Sequence, residues 1–303
     1  MRILVTGGTG FVGRWAVAAL KEAGHEVVVC VRRESVIPGC RVIEADLLDD
    51  RAAGRVMGWS RPEIVLHLGW YVEHGKFWNA QENLDWVAAT MRLATAAKTA
   101  DVRRFVCAGT CMEYNLEGEQ GPLPETAATK PSNLYGVAKD ATRQILGGYF
   151  GPHEIEFAWA RLFFIFGPNE QSDRLVSSIA ISLLSGRPAL MTSGAQVRDF
   201  CSVQDAGEAL AALAVSNVTG PVNIGSGQGI RIAELAEEIR NAVGTGELRF
   251  GALPDRTNEP RTILANIDRL RSEVGYKPKR EMRERVIETV QWWRDRVNSR
   301  TPI

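Results

Sequence analysis

The sequence lacks the features that mark several special classes of protein. Among its 303 residues, 36 lysines and arginines balance 36 aspartates and glutamates, and no long apolar run is present. A neutral chain has no excess of positive charge to attract nucleic acid or an anionic membrane, so we expect neither as a partner. Internal repeats, low-complexity tracts and long runs of one charge are also missing.

Cysteine is sparse and is not arranged in pairs. The five cysteines are odd in number and form no C-x-x-C motif, and the sequence shows no signal peptide. This usage does not suit a disulfide-stabilised secreted domain, so we expect reduced thiols and a cytoplasmic location. We predict no metal site.

Composition is otherwise that of an ordinary globular protein, with 45% apolar and 24% charged residues. A chain of this length can bury about three quarters of its unfolded surface. That is enough for one large domain or two smaller ones.

A glycine-rich stretch follows the first apolar run of the chain. It reads Gly-Gly-Thr-Gly-Phe-Val-Gly over residues 7–13, and a helical pattern comes after it. Glycine permits a tight turn and close approach of the backbone, and the amides at a helix N-terminus attract a pyrophosphate. Strand, glycine turn and helix therefore predict a dinucleotide site. The expected contacts are Gly7, Gly10, Phe11, Val12 and Gly13.

The end of the next predicted strand, Glu26–Val31, indicates which dinucleotide binds. A carboxylate here would accept from the ribose 2′-hydroxyl of NAD, whereas an arginine accommodates the 2′-phosphate of NADP. Arg32 and Arg33 follow the strand directly, with Glu34 one step further. We therefore predict NADP(H) as the cofactor, while Glu34 keeps NAD(H) open.

Two further strand ends supply expected cofactor contacts. Asp46 could accept from the adenine amino group or cap the short helix that follows it. Leu47 beside it, and Leu68 at the end of the predicted strand 63–68, are the other expected contacts. Because that strand is apolar from Ile64 onwards apart from His67, as a sheet covered on both faces requires, we expect His67 to be a packed residue.

Tyr135 and Lys139 are the candidate catalytic pair. They lie four residues apart in a predicted helix over 133–150, so their side chains share one face. A nearby ammonium favours the phenolate, and we expect the Tyr135 pKa to fall from about 10 towards neutrality, for proton transfer at a carbonyl or carbinol. Thr110, at a predicted strand end, is placed to bond the same substrate oxygen. Cys111 has no neighbouring base in the sequence, so we expect a packed thiol.

The regular alternation of strands and helices breaks down after residue 165. The shorter, mixed pieces that follow suit a small lobe over the carboxyl edge of the sheet, where ligands bind. We predict an α/β protein whose nucleotide-binding domain covers 1–165 with parts of 195–220, and whose substrate lobe covers 166–194 and 221–303. Helices are expected near 79–100, 174–185, 204–215, 231–243 and 282–298.

Several motifs, in order and in register, resemble those of the extended short-chain dehydrogenases/reductases. They are TGGTGFVG at 6–13, Thr110, Tyr135-x-x-x-Lys139, Arg198-Asp-Phe and Asn223-Ile-Gly-Ser. The resemblance covers nearly the whole chain and is to the branch that acts on nucleotide-linked sugars. It implies a doubly wound Rossmann sheet with a C-terminal substrate lobe. It also implies a catalytic trio of Thr110, Tyr135 and Lys139, in which Lys139 binds the cofactor ribose.

The same resemblance implies further contacts. Arg198 and Arg256 match arginines that grip the nucleotide diphosphate, a bidentate task suited to guanidinium. Asp46 matches the acid near adenine, and Asn83 matches an asparagine that supports the catalytic geometry next to the substrate. The remaining expected substrate contacts are Trp70, Tyr71, Cys111 and Phe164.

Departures from the family pattern bear on the reaction. Dehydratases of the family place Asp-Glu directly after the catalytic threonine, to move protons at sugar C5 and C6, whereas this chain has Cys111 and Met112. We therefore expect no dehydration of a nucleotide-hexose. Many members carry an asparagine at the position of Phe164. Trp70 and Tyr71 either form a less polar floor, suited to a deoxygenated sugar, or pack in the core.

The leading hypothesis from the sequence is an NADPH-dependent reduction of a nucleotide-linked 4-keto-6-deoxy-hexose. The alternative is a nucleotide-sugar 4-epimerase with retained NAD(P), since both reactions need the same trio. A protein that senses NADP without turnover is a third hypothesis. The resemblance also implies a homodimer formed through the long helix over 79–100 and the helix that carries Tyr135.

Overall fold

Short apolar runs become the strands of the computed structural model, which describes residues 1–118, 121–257 and 259–299. Strands and helices are numbered separately in chain order. Within the described residues the strands are β1 (Arg2–Thr6), β2 (Glu26–Val31), β3 (Arg41–Glu44), β4 (Ile64–His67), β5 (Arg104–Thr110), β6 (Pro122–Leu123), β7 (Glu156–Leu162), β8 (Phe164–Phe166), β9 (Ala189–Leu190), β10 (Val197–Ser202), β11 (Gly220–Ile224), β12 (Gly229–Arg231), β13 (Leu248–Arg249) and β14 (Thr262–Ala265).

The helices of the described chain include every one that the sequence predicted. No helix in this part of the chain is both long enough and apolar enough to cross a membrane. The helices are α1 (Gly13–Glu22), α2 (Ala52–Ser60), α3 (Glu82–Thr99), α4 (Leu134–Phe150), α5 (Leu175–Leu184), α6 (Val203–Val215), α7 (Ile232–Val243), α8 (Asp268–Ser272) and α9 (Met282–Asn298).

Seven parallel strands form the main sheet, in the order β3-β2-β1-β4-β5-β7-β11. Neighbouring residues of one strand enter different cores. Val5 and Val29 pack on the side of α1 and α6, whereas Leu4 and Val28 pack on the side of α2, α3 and α4. Burial on both faces explains the continuous apolar runs. The predicted doubly wound α/β fold is confirmed.

A second sheet stands beside the carboxyl edge of the first. Its order is β12-β10-β14-β6, with β8 also paired to β10. A separate core of apolar side chains lies under it, where α5, α7 and α9 meet, with Leu235 and Trp293 fully covered. The substrate lobe of the prediction therefore has its own packed interior.

The two layers do not divide at the expected residues. Strand β11 pairs with β7 and forms the edge of the main sheet, although the sequence argument assigned 221–303 to the smaller lobe. Strand β10 belongs to the second sheet, while α6 packs on α1 beneath the main sheet. The chain therefore crosses between the layers more often than the prediction allowed.

Candidate active site

Gly7 and Gly13 allow the turn after β1 to fold tightly against the start of α1. Gly7 has φ +67°, and a Cβ there would lie 2.8 Å from the carbonyl carbon of Leu68. A Cβ on Gly13 would lie 2.1 Å from the Gly7 oxygen, which also accepts the amide of Gly10 at 2.9 Å. Only glycine fits at positions 7 and 13, as a phosphate-binding turn requires.

This turn also leaves backbone amides for a ligand. The amides of Phe11 and Val12 donate to no acceptor in the described part of the protein. Helix α1 begins without a side-chain cap and without an acid in its first turn. Free amides at the positive end of a helix dipole favour an anion. The turn therefore fits the pyrophosphate of a dinucleotide.

The side chains that were expected to select between NADP and NAD are exposed to solvent. Arg32, Arg33 and Glu34 are all exposed after β2, on the carboxyl edge of the main sheet. The two arginines and the carboxylate are therefore all accessible to the ribose of a bound cofactor.

Asp46 closes a local turn and does not cap a helix. Its Oδ1 accepts the amide of Leu48 at 3.0 Å, whereas α2 starts only at Ala52. The side chain is exposed, so it can also accept from a ligand. Leu47 is buried and Leu68 is half-buried, next to the turn that Gly7 forms.

His67 is a packed residue, as predicted. Its Nδ1 lies 2.7 Å from the Thr6 hydroxyl and its Nε2 lies 3.0 Å from the Thr90 hydroxyl. Complete burial, with a smaller contribution from the charge of Lys139, lowers the His67 pKa to about 3. The ring therefore stays neutral and joins β1, β4 and α3.

Thr110 and Tyr135 meet where the end of β5 faces the start of α4. Asn133 caps α4, accepting the amide of Gly136 at 2.9 Å, which fixes the turn that presents Tyr135. Burial raises the pKa of Tyr135 above its ordinary value, although a hydrogen bond from Thr110 works in the opposite direction. The expected fall of this pKa towards neutrality is therefore wrong for the structure as it stands.

The ammonium of Lys139 is held by a backbone carbonyl and an aromatic ring. Its Nζ donates to the Ala108 carbonyl at 2.8 Å and lies 3.6 Å from the centre of the Trp70 ring. The side chain is buried, and burial lowers its pKa to about 8. The ammonium is thus held beside the strand end by one carbonyl and one aromatic face.

Arg174 is a site residue that the sequence argument missed. It stands directly before α5. Burial raises the pKa of Tyr135 and of Glu170, and the positive charge of Arg174 opposes both rises. No motif marked it, because its charge reaches Tyr135 only through the tertiary structure. Arg174 is therefore a second source of positive charge near Tyr135.

The two arginines expected to hold a diphosphate have different surroundings. Arg198 is buried, and its guanidinium is 2.8 Å from Glu259 and 5.6 Å from the centre of the Phe164 ring. Arg256 is exposed, and its charge contributes to lowering the pKa of His74. Only Arg256 is directly accessible to a ligand.

Asn83, an expected substrate contact, makes its hydrogen bonds to groups of the protein itself. The residue is fully buried, its Oδ1 accepts from the Trp70 indole at 3.0 Å, and its Nδ2 donates to the carbonyls of Phe77 and Ala80 at 2.7 and 2.9 Å. Asn83 therefore positions the loop and the indole that covers Lys139.

The other expected substrate contacts differ in how exposed their side chains are. Trp70, Tyr71 and Phe164 are half-buried, and the Tyr71 hydroxyl donates to Glu73 at 2.9 Å. Cys111 is 2% exposed and lies in the core, where burial raises the pKa of its thiol. A packed thiol was expected, and a polar contact from Cys111 to a sugar is not available.

Glu113 is a buried acid that the sequence argument overlooked. It accepts the Thr110 amide at 2.7 Å, the Trp159 indole at 2.9 Å and Arg161 at 2.8 Å. Burial raises its pKa, and the charge of Arg161 counteracts that rise. Trp159 and Arg161 thus hold the carboxylate of Glu113, which in turn fixes the backbone amide of Thr110.

Two motif residues prove to be structural. Asp199 accepts from the amide and hydroxyl of Ser226, both at 2.7 Å, and from the amides of Gly227 and Ala265. Asn223 donates to two backbone carbonyls and accepts from the Tyr114 hydroxyl at 2.7 Å. These contacts join the main sheet to the second sheet.

A Rossmann sheet, a phosphate-binding glycine turn and a Thr-Tyr-Lys set at one strand edge define a nicotinamide-dependent enzyme of the short-chain type. The model of the NAD dependent epimerase/dehydratase family matches residues 3–225. The chain belongs to that family.

Similar proteins of known name agree with this assignment. The UDP-glucose 4-epimerase of Streptomyces lividans is 29% identical over 323 positions, covering 96% of this chain and 95% of that protein. The crystal structure of UDP-glucose 4-epimerase from Thermus thermophilus in complex with NAD has a TM-score of 0.81 and 26% identity, covering 97% of this chain and 99% of that one.

A third comparison shows likeness of fold alone. The crystal structure of UDP-glucose 4-epimerase from Thermotoga maritima, with UDP-glucose, has a TM-score of 0.89 at 24% identity. The superposition covers 98% of this chain and 100% of that one.

Proposed function

We propose that this protein is a nucleotide-sugar 4-epimerase, which oxidises the C4 hydroxyl of a hexose and reduces the ketone from the opposite face. The observation that carries the proposal is the hydrogen bond between Thr110 and Tyr135 at the carboxyl end of β5, with Lys139 on the same helix as Tyr135. The relatives named above favour this alternative over the ketoreductase that led the sequence hypotheses.

The chain's own residues account for the proton at C4. Tyr135 is placed to accept the hydroxyl proton and to return it, while the Thr110 hydroxyl holds the same oxygen. A bound nicotinamide supplies the acceptor and donor of hydride. Because burial raises the Tyr135 pKa, the phenolate needs nearby positive charge, which Arg174 can supply.

Binding of the sugar nucleotide is proposed to use Arg256 directly and Arg198 indirectly. Arg256 is exposed near His74, so it can meet a diphosphate. Arg198 reaches a ligand only if Glu259 moves, since their ion pair occupies the guanidinium.

A cytoplasmic location and a homodimer remain predictions. Val137 and Ile145 lie on one side of α4, each about half exposed, where a partner helix could pack.

The 4-ketoreductase is the second candidate, and one observation favours it. Arg32 and Arg33 are exposed at the strand end where a 2′-phosphate would lie, and a reductase consumes NADPH whereas an epimerase regenerates its cofactor. Either reaction uses the same trio. Cofactor consumption therefore separates the two candidates.

Two assays test the proposal with purified protein. With a nucleotide-hexose, the epimerase interconverts C4 epimers without net change in nicotinamide absorbance. Tyr135→Phe should lower kcat by about 10²–10⁴-fold. Tyr149→Phe, a half-buried tyrosine of the same helix, should not lower it. Net oxidation of NADPH with a 4-keto-6-deoxy sugar would instead establish the reductase, and formation of such a ketone from the parent hexose would reject both candidates.

Cofactor preference is a separate prediction. We expect NADP(H) to bind at least about tenfold more tightly than NAD(H), a difference of about 1.4 kcal/mol. Replacing Arg32 and Arg33 together with alanine should erase the difference and leave NADH binding nearly unchanged, because both side chains are exposed and only the 2′-phosphate needs them. Fluorescence titration of both cofactors measures it. Equal affinities in the wild-type protein would show that the arginines do not select the cofactor.

A further inference from the structure

A cleft of about 700 Å³ separates the nucleotide-binding layer from the C-terminal helix α9. Arg14 of α1 lines one side, and Trp293 and Arg296 of α9 line another. Two loops complete the walls, and they touch where the amide of His74 donates to Gln171 at 3.1 Å. The cleft therefore runs from Arg14, in the first turn of α1, to a helix of the other layer.

Two guanidinium groups share this cleft. Arg14 folds back on the glycine turn and donates to the carbonyls of Thr9 and Gly10 at 3.1 and 3.3 Å. Arg296 lies 4.0 Å above the ring of Trp292. Burial, and after it the positive charge of Arg296, lowers the pKa of Arg14. The two like charges therefore repel each other, and an anion between them would relieve the repulsion.

The acids that line this cleft are Glu73, Glu170 and Asp173, and none of the three forms an ion pair with Arg14 or Arg296 in the described part of the chain. Glu73 is bound by Lys76 and by the Tyr71 hydroxyl, and Glu170 accepts from the Ser177 hydroxyl at 2.7 Å. Among the described residues, no ion pair joins an acid to Arg14 or to Arg296. The positive charge is therefore available to a ligand.

Two buried polar atoms of the wall also lack a partner. The indole N–H of Trp293, a side chain 3% exposed, meets no acceptor in the described structure, and Nδ1 of His74 makes no hydrogen bond there either. An unsatisfied buried donor costs free energy, which an acceptor from a ligand would recover. The pair of arginines, Arg14 and Arg296, and the unpaired indole N–H of Trp293 together indicate that the ligand is an anion with several oxygens.

We infer that α9 completes the cofactor site, with Arg14 and Arg296 binding the pyrophosphate of the dinucleotide from the side opposite the glycine-turn amides. The inference rests on the proposed use of a nicotinamide dinucleotide. The free amides of Phe11 and Val12 place the pyrophosphate beside Arg14. The 2′-phosphate belongs instead to the end of β2, where Arg32 and Arg33 lie.

Titration of the full chain with four probes tests this inference. Tryptophan fluorescence or calorimetry would give the Kd for NAD⁺, NADP⁺, ADP-ribose and UDP. We expect Arg14→Ala and Arg296→Ala each to weaken the first three by about tenfold, the worth of one charge-assisted contact, and to leave UDP unchanged. Arg283→Ala is the matched control on α9, since that side chain is 77% exposed and faces away from the cleft residues. It should change none of the four.

The outcomes distinguish the inference from the proposed function. Wild-type protein that binds no dinucleotide would reject the function itself. Wild-type binding that Arg296→Ala leaves intact would overturn only the role of α9. A loss confined to NADP⁺ would assign the pair to the 2′-phosphate, and a loss confined to UDP would assign it to the substrate, and either result overturns the inference. Thermal unfolding of each variant shows that it is folded. The Kd of Arg296→Lys for the dinucleotides should lie between the values of wild type and Arg296→Ala, because lysine keeps the charge without the fork of the guanidinium.

Discussion

Among single residues of the candidate site, Lys139 shows most directly how function opposes stability. An ammonium on the face of an indole with one carbonyl partner is poorly solvated, so its pKa falls from 10.5 to about 8. The unfolded chain holds this proton more tightly than the folded protein does. The charged form of Lys139 therefore lowers the free energy of unfolding at neutral pH.

Lys139→Met tests this cost. At pH 7 we expect the variant to be more stable by about 2 kcal/mol, after allowance for the Ala108 carbonyl left without a donor. Between pH 8 and 10.5 the wild-type protein should gain stability relative to the variant as pH rises, because the unfolded state binds the additional proton in that range. Urea unfolding at pH 7 and pH 9.5 measures both. A stability difference that does not depend on pH would contradict the burial of a charged lysine.

At the scale of elements, the turn between β1 and α1 is the most constrained part of the nucleotide-binding layer. The turn keeps its geometry because Gly13, the first residue of α1, has no Cβ to collide with the carbonyl oxygen of Gly7. No side chain caps this helix, so the amides that elsewhere would be capped are available to phosphate. Binding and the packing of α1 therefore depend on the same few atoms.

Gly13→Ala should break that turn. The added methyl group would lie 2.1 Å from the Gly7 oxygen, so α1 must move, at a cost of about 3 kcal/mol and with loss of dinucleotide binding. Gly54→Ala is the matched control in α2, where a Cβ meets nothing within 4 Å. It should stabilise the protein by about 0.5–1 kcal/mol. Chemical unfolding with cofactor titration measures both, and unchanged binding in Gly13→Ala would show that the turn can open.

At the scale of the whole molecule, a buried ion pair joins the two layers. Arg285 of α9 donates to both carboxylate oxygens of Asp205 in α6, at 2.8 and 3.1 Å, and both residues are buried. The Tyr276 hydroxyl donates to the same carboxylate at 3.2 Å. The lobe that carries α9 is thus tied to α6, which packs on α1 beneath the main sheet.

Arg285→Met should destabilise the protein by about 3–5 kcal/mol, because it leaves Asp205 charged, buried and without its counterion. The double variant Asp205→Asn/Arg285→Met should recover part of that loss, since the amide keeps the shape of the carboxylate and carries no charge. Thermal and urea unfolding of the two variants would measure the loss of stability and its partial recovery. A double variant less stable than Arg285→Met would show that packing, and not the unpaired charge, sets the cost.

The sequence by itself determined the features that depend on short-range geometry. Helix bounds such as Leu175–Leu184 and Met282–Asn298 agree with the predictions within a residue or two, because a period of 3.6 residues is written in neighbouring positions. The glycine turn could be predicted because glycine, having no side chain, is the residue that permits a positive φ and a close backbone approach. The spacing of Tyr135 and Lys139 likewise placed both side chains on α4.

Only the tertiary structure decided what those side chains touch. Arg198 meets Glu259 across 61 residues of chain, and strand β11 joins the main sheet beside β7, so neither contact is visible in any local pattern. The direction of the Tyr135 pKa was wrong in the sequence argument for the same reason. Spacing indicated a nearby ammonium, whereas burial and the aromatic cover of Trp70 depend on segments brought together by folding. Desolvation is a property of the packed surroundings, and it outweighs the charge that sequence spacing can predict.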